Sequence, residues 1–404
     1  MIFVGIDWSE DHHDACIVDG DGRVLAKGRV PEGVDGVGKL HEMVAAHAED
    51  PSQVTVGIEL DRGLLVGALV ASGYAVHAIN PLSVDRYRDR HRTSGAKSDP
   101  GDARVLADLV RTDRHLHREV AGDSELVEAL KVLARAHQSL IWSRQRQLNQ
   151  LRNALREFYP AALEAFGTDL ASTDALAVLG VAPTPAEGRS LTAARIAAAL
   201  KRGGRRRHIT ARAEEIKAAL RSTQLQAPAV LARAYGDVVR STVHVVAEMT
   251  AQIESLAGEL DASFEGHPDA EILRSLPGLG SVLGARVLAE FGDDPARYAD
   301  PKARKNYAGT SPITKASGRS KVALARFARN RRLADAVEMW AFCSLTLSPG
   351  ARRYYDAHRA KGHTHRRALR SLANRWVGIL HGCLRHREGY SEARAWPTCA
   401  EAAA

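Results

Sequence analysis

Apolar residues alternate with polar ones over short stretches in the first 118 residues, then switch to a helical period. Ile2–Asp7, Asp14–Val18 and Arg23–Lys27 predict three short strands, with Asp19-Gly20-Asp21-Gly22 as a tight hairpin turn between the last two. Val54–Glu59 is a fourth strand and Tyr74–Asn80 a fifth, and helical stretches fall around 37–48 and 61–72. Residues 124–160 predict one long helix. Leu126, Leu130, Leu133, His137, Leu140, Arg144, Gln147, Leu151, Leu155 and Phe158 form its seam, which weakens at Arg144 and Gln147, where Leu148 offers an apolar substitute. A second seam runs Val239, Val243, Val246, Thr250, Ile253, Ala257 and Leu260, with Thr250 as its polar member. Such seams suit an antiparallel hairpin, a dimer coiled coil, or two helices packed inside one globular domain.

A chain of 404 residues exceeds one ordinary core. The pattern divides it into an α/β region over 1–118, a long helical coiled-coil region over 119–265, a mainly helical region over 266–392, and an alanine-rich tail over 393–404 that is expected to be disordered. The fold class is therefore α/β plus all-α. Three antiparallel strands followed by alternating helix and strand is the order of the ribonuclease-H-like fold. Between the two long helices, residues 165–226 predict a small helical insertion. Its basic turn, Lys201-Arg202-Gly203-Gly204-Arg205-Arg206-Arg207, suits either phosphate contact or a solvated loop.

Composition adds a partner class. Hydrophobic residues make up 45% and charged residues 26%, as in a globular protein. The formal net charge of +8 favours nucleic acid or an anionic membrane surface. No apolar run reaches membrane-spanning length, and the N-terminus lacks the features of a signal peptide. Cys16, Cys343, Cys383 and Cys399 form no C-x-x-C pair, so a zinc ribbon or disulfide framework is not expected and a reducing cytoplasm fits.

Two strands end on acids after the same tripeptide: Val4-Gly5-Ile6 leads to Asp7, and Val56-Gly57-Ile58 to Glu59. In the expected sheet the first and fourth strands are neighbours, so the two carboxylates meet at one end. Ser98-Asp99-Pro100-Gly101-Asp102 opens a further helix, and Asp99 and Asp102, three apart, face one way from its first turn. Four converging carboxylates repel unless divalent cations neutralise them. Mg²⁺, or Mn²⁺, is the expected cofactor, and a pair of such ions suits phosphodiester chemistry. The competing explanation is helix capping, with Asp99 as N-cap and Asp102 at N3.

From Pro301 to Ala334 there are ten cations and no acid: Lys302, Arg304, Lys305, Lys315, Arg319, Lys321, Arg326, Arg329, Arg331 and Arg332. A one-sign run of this kind is suited to phosphates, or is a solvated basic face. Within it lies a loop containing Ser311, Ser317 and Ser320, with Ser317 before Gly318. A serine hydroxyl needs a base, a metal or a cationic field to act as nucleophile. Its other role is to hydrogen-bond a phosphate or a turn. Upstream, Leu276-Pro277-Gly278-Leu279-Gly280 before a helical run resembles the turn of helix-hairpin-helix modules. There Gly278 and Gly280 would offer backbone N–H groups to a phosphate, unless the turn merely joins two helices.

These pieces together resemble the bridge-RNA-guided insertion-sequence recombinases, the DEDD-type transposases with a C-terminal serine. The matching segments are GID (5–7), GIE (57–59), KSDPGDARVLADL (97–109), LRSLPGLGSVLGARVLAEFGD (273–293), NYAGTSPITKASGRSK (306–321) and RRYYDAHRAKG (352–362). The resemblance implies a RuvC-like N-terminal domain, a coiled-coil region and a C-terminal transposase domain. It implies that Asp7, Glu59, Asp99 and Asp102 bind Mg²⁺ and that Ser317 forms a covalent link to DNA. It also implies a homo-oligomer, dimer or tetramer, with a composite site, donor and target DNA as substrates, and a guide RNA as partner.

Other readings remain open on the residues alone. A RuvC-like junction nuclease using water needs the acids but not the serine. A sugar-kinase or actin-like ATPase would need a small Gly/Thr turn after Asp7, where Trp8-Ser9-Glu10-Asp11 stands instead. A nucleic-acid-binding regulator would use the acids only as caps and surface groups.

Overall fold

The computed structural model describes residues 1–91, 98–120, 123–317, 320–326 and 329–397. The chain forms two compact units, Met1–Gly122 and Asp123–Ala404.

The first unit is a six-stranded mixed sheet covered by helices. Its elements are β1 (Ile2–Trp8), β2 (His12–Val18), β3 (Val24–Pro31), α1 (Val34–Ala45), β4 (Val54–Ile58), α2 (Leu64–Ala71), β5 (Ala75–Ala78), α3 (Pro81–His91), α4 (Asp99–Asp113) and β6 (Arg118–Glu119). The strand order is β3-β2-β1-β4-β5-β6. β1, β2 and β3 are antiparallel, while β4 and β5 run parallel to β1 and to each other. This is the expected ribonuclease-H-like arrangement, with β6 added antiparallel at the edge.

Strand alternation divides the core in two. Val4, Ile6, Val56 and Ile58 face one side with Leu40, Leu65 and Leu69. Phe3, Cys16 and Val18 face the other with Ala103, Leu106 and Val110 of α4. Gly5 and Gly57, paired across β1 and β4, lie under α4.

The second unit is mainly helical. α5 (Glu125–Phe158) begins at Ser124, whose side chain accepts from the Val127 N–H, a cap that contributes about 1 kcal/mol. Five shorter helices follow: α6 (Pro160–Phe166), α7 (Thr173–Val181), α8 (Pro185–Ser190), α9 (Ala193–Arg202) and α10 (Ile209–Leu220). α11 (Ala229–Glu265) then returns along α5. The pairing is antiparallel. Val127 and Leu130 share a core with Leu260 and Phe264 at one end, and Leu151 and Leu155 share another with Val239 and Val243 at the far end. Between them the two polar seam positions meet, as Arg144 Nη1 donates to Thr250 Oγ1 at 3.2 Å. The sequence leaves three packing modes open; the structure shows the hairpin within one chain.

The remaining elements are α12 (Ala270–Ser275), α13 (Ser281–Phe291), α14 (Pro301–Tyr307), β7 (Ile313–Ser317), β8 (Ser320–Leu324), α15 (Arg331–Ser344), α16 (Pro349–Ala360), α17 (His365–His386) and α18 (Glu392–Ala395). The expected boundary at 265/266 falls inside one continuous core, in which Val127, Leu260 and Phe264 pack with Leu273, Leu288, Trp340 and Trp376. The stem of the long helices and the C-terminal helices are thus one unit. The loop expected around Ser317 is a β-hairpin. Its strands escape a burial-based reading because every residue of both is exposed.

Candidate functional site

Register sets out the acidic centre. Ile6 pairs with Ile58, so Asp7 and Glu59 leave neighbouring parallel strands side by side. Asp7 stands directly across from Asp14 on β2, and Asp14 directly across from Arg29 on β3. One cross-strand row therefore carries Glu59, Asp7, Asp14 and Arg29. Alternation turns Asp7 and Asp14 to the face that α4 covers, the face of Gly5 and Cys16. His12, two residues before Asp14, shares that face.

α4 brings the other two acids. Ser98, not Asp99, occupies the N-cap position, and its side chain makes no capping bond. Asp99 is the first helical residue and Asp102 the fourth, so the expected capping roles do not form. Asp102 is buried, and its Oδ1 accepts from Arg88 Nη2 of α3 at 2.6 Å. Asp99 is exposed, with Oδ2 3.9 Å from Arg29 Nη2. Arg29 also pairs with Asp14 at 2.8 Å. That hydrogen bond raises the pKa of the Arg29 guanidinium, so it stays charged beside the acids.

His12, Asp14 and Asp99 each offer a ligand atom, and these atoms lie within 4.8 Å of one another. One imidazole nitrogen and two carboxylate oxygens suit a divalent cation. Oxygen donors serve Mg²⁺ and Mn²⁺ alike, while the imidazole favours Mn²⁺. His12, Asp14 and Arg29 are not among the candidate site residues that the sequence pattern singles out. The signal for them is a His-x-Asp spacing on one strand, and the apolar pattern starts that strand at Asp14, two residues after its true beginning at His12.

The basic stretch is not one face. Lys302, Lys315, Lys321, Arg329 and Arg331 are exposed, and Lys305 and Arg326 half-buried. Arg319 lies outside the described residues. Arg304 is buried beneath Phe291 and Tyr298. Arg332 is tied to α5: it donates to the Arg135 carbonyl at 3.0 Å and to Ser139 Oγ at 2.8 Å, and it stacks on Trp142. A cation in a one-sign run still finds acceptors and aromatic faces that are distant in sequence.

Ser317 is the last residue of β7 and pairs with Ser320, the first of β8. Both are exposed, whereas Ser311, before the hairpin, is half-buried. Lys315 lies on the same face as Ser317, two residues back, and Lys321 on the other. In the glycine turn, Gly278 has φ +88°, and a Cβ there would meet the Ser344 backbone nitrogen at 2.8 Å. The Pro277 carbonyl accepts from Trp340 Nε1 at 2.9 Å. This half of the turn faces α15, and only Gly280, at the start of α13, is exposed.

On a sheet of ribonuclease-H-like order, the cluster able to coordinate a divalent cation is His12 and Asp14 of β2 with Asp99 of α4, an arrangement consistent with a nuclease-type site. A transposase family model matches residues 4–160, and the model of the IS116/IS110/IS902 transposase family matches residues 270–356. The chain is 46% identical, over its whole length and 98% of the relative, to the protein assigned as the mini-circle transposase of IS117 in Streptomyces coelicolor. It is 30% identical to the 42 kDa protein of insertion element IS900 from Mycobacterium paratuberculosis, over 97% of this chain and 98% of that one. It is 32% identical to the 44.8 kDa protein of IS116 from Streptomyces clavuligerus, over 97% and 96%. The chain belongs to the IS110/IS116 family of insertion-sequence transposases, enzymes that cut and rejoin DNA. Among the described residues no helix is long and apolar enough to cross a membrane.

Proposed function

We propose that this chain is the recombinase of its insertion sequence, cutting DNA at the acidic centre of the first unit and holding the cut strand through Ser317. The observation that carries the first half is the gathering of His12, Asp14 and Asp99 within 4.8 Å, at the sheet end from which Asp7 and Glu59 also leave. In this reading Asp7, Glu59, Asp99 and Asp102 hold Mg²⁺ or Mn²⁺, with Asp14 and His12 beside them. The bound cation supplies Lewis-acid stabilisation of a phosphodiester. The chain's own part is to bring the carboxylates to one end of the sheet. Arg29 and Arg88 neutralise Asp14 and Asp102 and give way as ligands are recruited.

Ser317 is the nucleophile of the second half. Its exposure at a hairpin end lets DNA reach it, and Lys315 on the same face attracts the phosphate. The hydroxyl oxygen bonds to phosphorus and releases its proton to solvent water, the strand's own oxygen leaves and takes a proton back from water, and the phosphoserine link stores the strand for rejoining. The oligomer, dimer or tetramer, would supply the two halves of one site from different protomers. A guide RNA would pair with donor and target DNA. Support for that RNA is the family resemblance, and sequencing RNA that copurifies with the protein tests it.

A second reading, hydrolysis by water in the manner of a RuvC-like nuclease, is favoured by one observation. The cation cluster is assembled within the first unit alone, while the Ser317 hydroxyl has no hydrogen-bonding base among the described residues. The two separate on one experiment. Denaturing gels of protein incubated with labelled donor DNA and Mn²⁺ should show a covalent adduct that Ser317→Ala abolishes and Ser320→Ala retains. Cleavage without an adduct in the unmodified protein establishes the water reading. Asp102→Asn should remove cleavage and leave DNA binding largely intact.

A further inference from the structure

Arg304, displaced from the basic face by burial, poses a problem of charge. It is only 6% exposed, and its Nε and Nη1 are buried without a hydrogen-bond partner. Among the described residues it enters no ion pair. Its guanidinium lies 4.5 Å from the Tyr298 ring centroid and 5.2 Å from that of Phe291. Stacking on rings offsets part of the desolvation of a buried cation, but leaves its N–H groups unsatisfied.

His381 on α17 repeats the problem. It too is 6% exposed, and neither ring nitrogen has a partner. A neutral imidazole still carries one N–H to donate and one lone pair to fill. Burial first, then the charge of Arg304, hold this imidazole below its usual pKa.

Both residues line one cavity of about 390 Å³ in the second unit. At about 30 Å³ per water, it has room for a tetrahedral oxyanion and several waters. Three carboxylates also face it, and each is engaged. Asp269 is paired with Arg387. Asp293 accepts from the Ser124 N–H at 3.0 Å and lies 3.3 Å from His267 Nε2. Asp294 accepts from the Ala296 N–H at 2.8 Å. The unengaged groups are therefore a guanidinium and an imidazole, with exposed Arg385 at the rim.

We propose that this cavity is an oxyanion site that takes a phosphate group through Arg304 and His381. The guanidinium matches phosphate oxygens in a forked, charge-assisted geometry. An anion between the two side chains would favour protonation of His381, which would then donate as well. The phosphate has two sources, free inorganic phosphate or a phosphodiester of bound nucleic acid. The second rests on the DNA-cutting reading; the first stands without it.

The test uses the full chain free of nucleic acid and divalent ions. Thermal melting is followed against inorganic phosphate, with chloride at matched ionic strength, for the unmodified protein, Arg304→Gln and His381→Gln. A parallel arm measures binding of a short DNA duplex with native or uncharged methylphosphonate linkages. A free-phosphate site predicts a rise in melting temperature specific to phosphate, with the apparent affinity falling roughly tenfold or more in His381→Gln. A phosphodiester site predicts no such rise, but a similar loss for the native duplex in His381→Gln and none for the methylphosphonate duplex. If Arg304→Gln does not fold, His381→Gln carries both comparisons. The site is overturned if phosphate acts no differently from chloride and the variants bind both duplexes like the unmodified protein, or if phosphate stabilises the unmodified protein and His381→Gln equally.

Discussion

Gly5 lies so close to Ala103 that a Cβ on the glycine would stand 1.9 Å from the alanine's carbonyl oxygen, and 2.3 Å from the Ala107 nitrogen. On the neighbouring strand, a Cβ on Gly57 would lie 2.7 Å from the Leu106 carbonyl oxygen. These are the glycines of the two Val-Gly-Ile sequences that end on Asp7 and Glu59. They let the backbone of α4 rest directly on β1 and β4, which carries Asp99 and Asp102 to the ends of those strands. Gly5→Ala is therefore expected to destabilise the first unit by about 1–3 kcal/mol and to weaken Mn²⁺ binding. Gly38→Ala, in α1 with open space around it, should do neither. Urea denaturation and calorimetric titration check both, and equal behaviour of the two variants would sink the account.

Arg29 competes with any cation for Asp14 and Asp99. Its side chain is 53% exposed, so its removal opens no buried cavity. Arg29→Ala should tighten Mn²⁺ binding severalfold, more so at low salt, where exposed charges act over longer distances. Weaker binding in a titration of the variant would show instead that Arg29 holds Asp14 in position.

Glu290 predicts a pH dependence. It is buried on α13 and accepts from Arg135 Nε at 2.8 Å and Nη2 at 2.9 Å. Burial pushes its pKa up, but the Arg135 bonds and charge, with Asn330, outweigh this and hold it below the usual carboxylate range. A depressed folded pKa gives stability that is fully present above the unfolded value, about 4.3, and is lost as pH falls toward the folded value. Urea midpoints of the second unit should therefore fall as pH drops below about 4.3. Glu290→Gln should cost about 3–5 kcal/mol at pH 7 and flatten that acid limb. An unchanged slope in the variant would place the acid sensitivity elsewhere.

The sheet was legible because its apolar alternation is regular and both central strands end on acids after the same three residues. Asp7 and Glu59 followed directly from that. His12, Asp14 and Arg29 did not, since their meeting depends on cross-strand register, and the predicted strands stopped short of residues 12 and 29. The capping explanation for Asp99 and Asp102 depended on which residue opens α4; one step toward Ser98 removes it. The β-hairpin was missed because it buries nothing, and burial is what alternation reports. Arg304 and Arg332 look like their neighbours in the basic run, but their aromatic and carbonyl partners lie elsewhere in the chain.

The antiparallel pair of α5 and α11 has a consequence for reach. At about 1.5 Å per residue, the 34 residues of α5 span about 50 Å. One end is rooted in the core with Trp340 and Trp376, and the other carries the packed group of five short helices. Removing seven residues from each arm would draw that group in by about 10 Å without altering either core. Between the two cores, the Arg144–Thr250 bond is one polar contact that joins the arms. The pair thus works as a measuring rod, and its length is a quantity that selection can tune apart from the chemistry.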